Sequence, residues 1–257
     1  MYATCLSPKE KLFPESACGG FTRVDGTVEF YSRIAALLRP DMTVLNFGAG
    51  RGAHLDDEVP FRRELCRLRG KVRKVIAADI DPAVRENADV DETVVVAEKA
   101  PLPFESESFD LIVADFVFEH VATPAETALE LARVLKPGGY ICARTPNKWG
   151  YVGICANAIP YGWHHSILRV LQPHRQHQDV FPTEYHMNTR GALRRLFPPD
   201  RFDDFTYTHN PEPAYSGNSE LLWRITLLGF RFLPDAMGTV LLIFMRKRAR
   251  LDSGRIS

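Results

Sequence analysis

Residues Val44-Leu45-Asn46-Phe47 run directly into Gly48-Ala49-Gly50-Arg51-Gly52, an apolar strand ending in three glycines at alternate positions. The next apolar run, Val75-Ile76-Ala77-Ala78, closes on Asp79. Glycine lets the backbone turn sharply and leaves no side chain between the loop and a ligand. A carboxylate at the tip of the following strand stands where a nucleotide offers its ribose hydroxyls. Together these features restrict the chain to an α/β sheet that takes a nucleotide-like ligand at its strand ends.

The rest of the pattern agrees. Asp25-Gly26-Thr27 caps a helix whose apolar positions Val28, Phe30, Tyr31, Ile34, Leu37 and Leu38 follow helical spacing as far as Pro40. Strands are predicted at Thr43–Phe47, Val75–Asp79, Thr93–Ala97, Phe109–Ala114 and Tyr140–Arg144. Between them, Asp81-Pro82 reads as a helix start, and Glu126–Leu135 as an amphipathic helix stopped by Pro137-Gly138-Gly139. Phe109–Ala114 shows no polar alternation, as a strand covered on both faces should not. Asn188-Thr189 caps a further helix through Leu196, Phe205–His209 reads as a sixth strand, and Thr239–Met245 as the last. The fold expected is α/β, a doubly wound, Rossmann-like, seven-stranded and mostly parallel sheet with helices on both faces. An insertion rich in aromatics and histidine follows strand 5, where a regular connection would be short. One domain over 1–257 is expected, with a core at about 25–147, the insertion at about 147–187 and a helix–strand completion at 188–247.

Lys plus Arg and Asp plus Glu each number 32, so the formal net charge is zero and nothing electrostatic points to nucleic acid. The basic tail Arg246-Lys247-Arg248-Ala249-Arg250 reads as a solvated chain end. Cys5, Cys18, Cys66, Cys142 and Cys155 are odd in number and unpaired in spacing, which suits free thiols in a reducing compartment and no structural zinc. MYATCLSPKEKLF lacks an apolar signal-peptide region, so a cytoplasmic location is expected. Ser219–Phe232 is a strongly apolar helix. It reads as buried between sheet and insertion, with an interfacial helix making weak membrane-surface contact as the alternative.

The glycine loop alone does not separate NAD from S-adenosylmethionine, since Gly48-x-Gly50-x-x-Ala53 also satisfies the alanine-ended dinucleotide fingerprint. Later blocks separate them. Pro101-Leu102-Pro103-Phe104, Ser108-Phe109-Asp110, Glu119-His120-Val121 and Arg133-Val134-Leu135-Lys136-Pro137-Gly138-Gly139 occur in order. In combination they resemble the class I S-adenosylmethionine-dependent methyltransferases, in the small-molecule, type 11-like branch. The resemblance covers about residues 40–147 and implies a transferase with S-adenosyl-L-methionine as cofactor.

Carried over by position, the resemblance implies that the backbone at Gly48, Ala49 and Gly50 passes the cofactor's methionine part. It implies that Asp79 accepts the ribose hydroxyls, that Ile80 lies against the adenine, and that Glu98, with Ala97 alongside, meets the adenine amino group. Asp115 and Phe116 would line the methionine side. Asn46 stands where the family usually has an acid, an exchange that removes a charge-assisted contact to the cofactor's ammonium and that Tyr31 or Asp56 would have to offset. Methyl transfer needs a base only when the accepting atom carries a proton that must leave. His120 is the first candidate, and His164, His165, Tyr185 and His186 are candidates from the insertion. Their spacing does not match a metal site. The acceptor expected is a small molecule, soluble, lipid-linked or glycan-type. A non-catalytic S-adenosylmethionine-binding module and an NAD-dependent oxidoreductase are the competing readings.

Overall fold

The computed structural model describes residues 6–150, 183–213 and 216–249. His164, His165, His174 and His177, the aromatics Tyr151, Tyr161 and Trp163, and Cys5 and Cys155 lie outside the described residues.

The strands are β1 (Thr43–Phe47), β2 (Lys74–Asp79), β3 (Glu92–Val95), β4 (Phe109–Asp115), β5 (Leu135–Pro146), β6 (Phe202–Asp204), β7 (Tyr207–His209) and β8 (Val240–Lys247). They form one sheet in the order β3-β2-β1-β4-β5-β8-β6, with β7 also paired to β8. The β1–β2, β1–β4, β2–β3 and β4–β5 pairs are parallel, whereas β8 runs antiparallel to its neighbours. Order reverses at β1, between β2 and β4, which places the ligand crevice at the carboxyl ends of these strands.

Side chains alternate between two cores, as a parallel sheet buried on both faces requires. Leu45, Ile112, Ile141 and Ile243 pack with Ala128, Leu131 and Val134 of α4 (Pro124–Val134) and Leu193 of α5 (Arg190–Leu196). Val44, Val75, Leu111 and Leu242 face the other way, onto Phe30 and Ile34 of α2 (Gly26–Leu37). The Asp25 cap forms as expected, accepting from the Thr27 and Val28 amides at 2.9 Å each. Shorter helices, α1 (Pro8–Leu12) and α3 (Pro60–Cys66), precede and follow this layer.

Three expectations need correction. The α4 helix ends at Val134, and Leu135 already belongs to β5, so Pro137-Gly138-Gly139 does not stop the helix. That segment bulges out of the ladder instead: Phe109 pairs with Leu135, but Leu111 pairs with Tyr140. The strand predicted at Phe205–His209 is only Tyr207–His209, and an unpredicted strand, Phe202–Asp204, precedes it; between them Asp204 Oδ1 accepts from the Thr206 amide at 2.9 Å and turns the chain. Both strands pair with β8, so they occupy one edge position, the seventh. Finally, α6 (Glu220–Phe232), capped by Ser219, buries only Trp223. Its Leu221, Ile225, Leu228 and Phe232 are exposed by 67, 57, 55 and 80%. Among the described residues no helix is long and apolar enough to cross a membrane.

Candidate active site

The carboxyl ends of β1, β2 and β4 open onto a cavity of about 1680 Å³. Asn46, Gly48, Ala49, Gly50, Asp79, Ile80, Ala97, Glu98, Asp115 and Phe116 all border it, although they come from four separate stretches of chain. Ile80 and Phe116 are exposed by 50 and 40%, unusual for large apolar side chains at strand ends.

The loop geometry explains its glycines. Gly48 has φ +70°, and a Cβ added there would stand 2.4 Å from Val117 Cγ2. Its amide donates to the Ala78 carbonyl at 2.7 Å, clamping the loop to β2. Gly50 has φ +51°, and a Cβ added there would meet nothing within 4 Å, so this glycine leaves room on the cavity side. The Gly50 amide donates to Asp79 Oδ2 at 2.7 Å and the Asp81 amide to Oδ1 at 2.9 Å. Two backbone donors thus orient the Asp79 carboxylate, and each oxygen keeps a further lone pair for a ligand hydroxyl.

Asp115 plays a different part from the one its position implied. It borders the cavity, but Arg144 Nε donates to Oδ1 and Nη2 to Oδ2 at 2.9 Å. The Tyr31 hydroxyl adds a third bond, to Oδ2 at 3.1 Å. Burial opposes the charge on Arg144, but Asp115 outweighs it and holds the guanidinium above its usual range. Burial first, and Asp115 second, push the Tyr31 hydroxyl well up. Tyr31 therefore bonds a carboxylate, and Asp56 pairs with Arg51 at 2.7 Å. Arg144 also lies 4.7 Å over the Phe116 ring, and Phe116 has φ +55°, a conformation rare for a bulky residue.

Of the three histidine and tyrosine candidates described, only His120 borders the cavity. It sits in the turn after β4, its amide donating to the Val117 carbonyl at 2.9 Å. Tyr185 has φ +52° and donates its amide to the Glu119 carbonyl at 3.2 Å. His186 Nε2 lies 3.5 Å from Glu184 Oε2, with its side chain half exposed. Sequence reasoning passed over Glu119, which is 4% exposed, borders the cavity and accepts from the Thr145 hydroxyl at 2.8 Å. Asn188 donates in turn to Thr145 Oγ1 at 2.6 Å. Arg144, Glu212, Trp223 and Phe230 were also passed over. A basic residue ending the apolar run Ile141–Ala143 was the one available signal.

Residues 45–143 match the family described as "Methyltransferase domain". The matched segment carries a methyltransferase domain. The methyltransferase domain spans β1 to β5, the strands whose ends form the cavity.

Among curated relatives, the chain is 35% identical over 138 residues to a hybrid PKS-NRPS synthetase of Penicillium oxalicum, covering 48% of this chain and 3% of the relative. It is 33% identical over 67 residues to an uncharacterised methyltransferase of Schizosaccharomyces pombe, covering 26% of this chain and 22% of the relative. The chain thus spans only a small part of either. Solved structures share the fold. A candidate methyltransferase solved with the Haloferax volcanii Trm112 methyltransferase activator aligns at TM-score 0.53 and 17% identity, covering 87% of this chain and 90% of that one. A candidate sarcosine dimethylglycine methyltransferase from Galdieria sulphuraria aligns at 0.52 and 18%, covering 86 and 85%. The YcgJ protein of Bacillus subtilis aligns at 0.50 and 14%, covering 86 and 99%.

The residues present fit the cofactor the methyltransferase domain implies. The open cradle at Gly50, the oriented Asp79 carboxylate and the exposed Ile80 would offer that cofactor a backbone groove, an acceptor for its hydroxyls and an apolar face.

Proposed function

We propose that this chain transfers a methyl group from S-adenosylmethionine to a small-molecule acceptor bound in the cavity. The observation that supports it best is that ten positions marked in the sequence for the cofactor converge on one space. In this reading Asp79 accepts the ribose hydroxyls, Ile80 covers the adenine and Glu98 and Ala97 meet its edge. Gly48, Ala49 and Gly50 pass the methionine part, which the Asn46 amide also meets. Phe116 and the ion-paired Asp115 close the reacting end.

The cofactor supplies an activated methyl on a sulfonium. What remains for the protein is alignment and exclusion of water, which can contribute on the order of 7 to 11 kcal/mol. His120 is placed to take a proton where the accepting atom carries one. The experiment is incubation of the protein with tritium-methyl cofactor and a fractionated cell extract. Label in one small molecule supports the reading; cofactor binding with no labelled product in any fraction favours the non-catalytic module.

A lipid-linked acceptor is a second reading, favoured by the exposed outer face of α6. Pelleting with anionic liposomes, lost in Ile225→Glu plus Leu228→Glu, is its expected sign; no pelleting rejects it.

A further inference from the structure

We infer that the acceptor is an amine, held as a cation between the exposed Phe116 ring and the Glu212 carboxylate and methylated on nitrogen. The inference rests on the methyltransferase reading of the cavity and names the substrate class.

Phe116 and Glu212 border both the main cavity and a smaller space of about 310 Å³ that adjoins it. Two guanidiniums stand there, and both are already matched. Arg144 pairs with Asp115, and Arg62 pairs with Asp25 at 2.8 Å and with Asp57. Glu212 is then a fourth carboxylate against two cations. Its Oε1 accepts from the Thr22 hydroxyl at 2.7 Å, and among the described residues it forms no ion pair. The main cavity has the same bias. Its described lining carries eight Asp and Glu side chains, of which Asp115 and Glu130 are paired with Arg144 and Arg133, and the full cations Arg51 and Lys99. Arg51 is paired with Asp56. A wall of this sign concentrates cations.

Phe116 gives the bias a location. Its left-handed backbone turns the residue at the end of β4, and the ring stays 40% exposed beside the cavity. The Arg144 guanidinium stands 4.7 Å over this ring, and the part of it left exposed borders the same two spaces as the Glu212 carboxylate, a cation-binding arrangement.

The chemistry agrees with that placement. The bound ammonium first loses one proton to water. The nitrogen lone pair then forms the N–C bond while the methyl C–S bond breaks, its electron pair remaining on sulfur. Positive charge passes from sulfur to nitrogen, leaving a methylated ammonium and a neutral thioether. A carboxylate and a ring face at the nitrogen stabilise the charge that develops there. A hydroxyl acceptor would finish neutral and leave no product cation for Glu212 to hold.

The test compares choline with its uncharged carbon isostere, 3,3-dimethylbutan-1-ol, by calorimetric titration into protein saturated with S-adenosylhomocysteine. Choline is expected to bind about tenfold more tightly than the isostere. Glu212→Gln keeps the Thr22 bond and should remove most of that difference while leaving S-adenosylhomocysteine affinity unchanged. Equal binding of the two probes, or binding of neither, overturns the amine assignment. So does a difference that persists in Glu212→Gln. Failure of S-adenosylhomocysteine itself to bind is a separate result, and it overturns the methyltransferase reading instead.

Discussion

Arg144, at the end of β5, grips Asp115, at the end of β4, through two donors of one guanidinium, and both side chains are largely out of water. Removing one member of a buried pair strands the other, at a cost of about 3–5 kcal/mol. Asp115 keeps a quarter of its side-chain exposure, so the lower end of that range applies. Arg144→Met should lower unfolding free energy by about 3 kcal/mol, measured by urea titration. Arg144→Met with Asp115→Leu should recover most of the loss. A double variant as unstable as the single one contradicts this assignment.

The two loop glycines should respond differently to a methyl group. Gly48→Ala drives a Cβ to 2.4 Å from Val117 in addition to its φ of +70° and should fold poorly. Gly50→Ala meets no atom within 4 Å and pays only the left-handed backbone cost, about 1–2 kcal/mol. It should fold and still lose cofactor affinity, because its new methyl enters the cavity. Thermal melting with and without S-adenosylhomocysteine separates the two effects.

How far the sequence carried differs by feature. The β1 and β2 ends, the Asp25 and Thr189 caps and the two-faced core were legible because strand period, capping chemistry and glycine placement are local. The short edge strand Phe202–Asp204 was not, since only its pairing with β8, more than forty positions on, makes it a strand. Nor was the neutralisation of Asp115, because Arg144 lies 29 positions away and meets it only when β4 and β5 pair. Glu212 had no sequence signal at all. It reaches the cavity from the loop after β7, outside the methyltransferase signature blocks.

Acid should weaken the fold. Burial alone would raise the Asp110 carboxyl, but the Thr43 amide and Lys136 outweigh it and hold it below the usual range. The hydrogen bond from Arg133 lowers Glu130 in the same direction. A carboxylate with a depressed folded value stabilises the fold above its unfolded value, about 4, and that contribution disappears as pH falls through the folded value. Urea midpoints should hold steady from about pH 7 to 5 and fall below about pH 4. Asp110→Asn should flatten that fall. A midpoint that rises on acidification contradicts the assignment.

The α6 helix offers a contrast between faces. Ile225→Glu and Leu228→Glu alter exposed positions and should each change stability by less than about 0.5 kcal/mol. Trp223→Ala removes the one buried side chain of the helix, which packs edge-on against Phe13, and should cost about 3–5 kcal/mol. Similar losses at all three positions would mean that the outer face is packed.

The most direct measurement is calorimetric titration of S-adenosylhomocysteine, with NAD as the comparison, into the wild-type chain and Asp79→Ala. Saturable binding of the first ligand, none of NAD, and loss of binding by at least about tenfold in Asp79→Ala is the result predicted from the Asp79 acceptor geometry. Undiminished affinity in a folded Asp79→Ala protein, or preference for NAD, would contradict it.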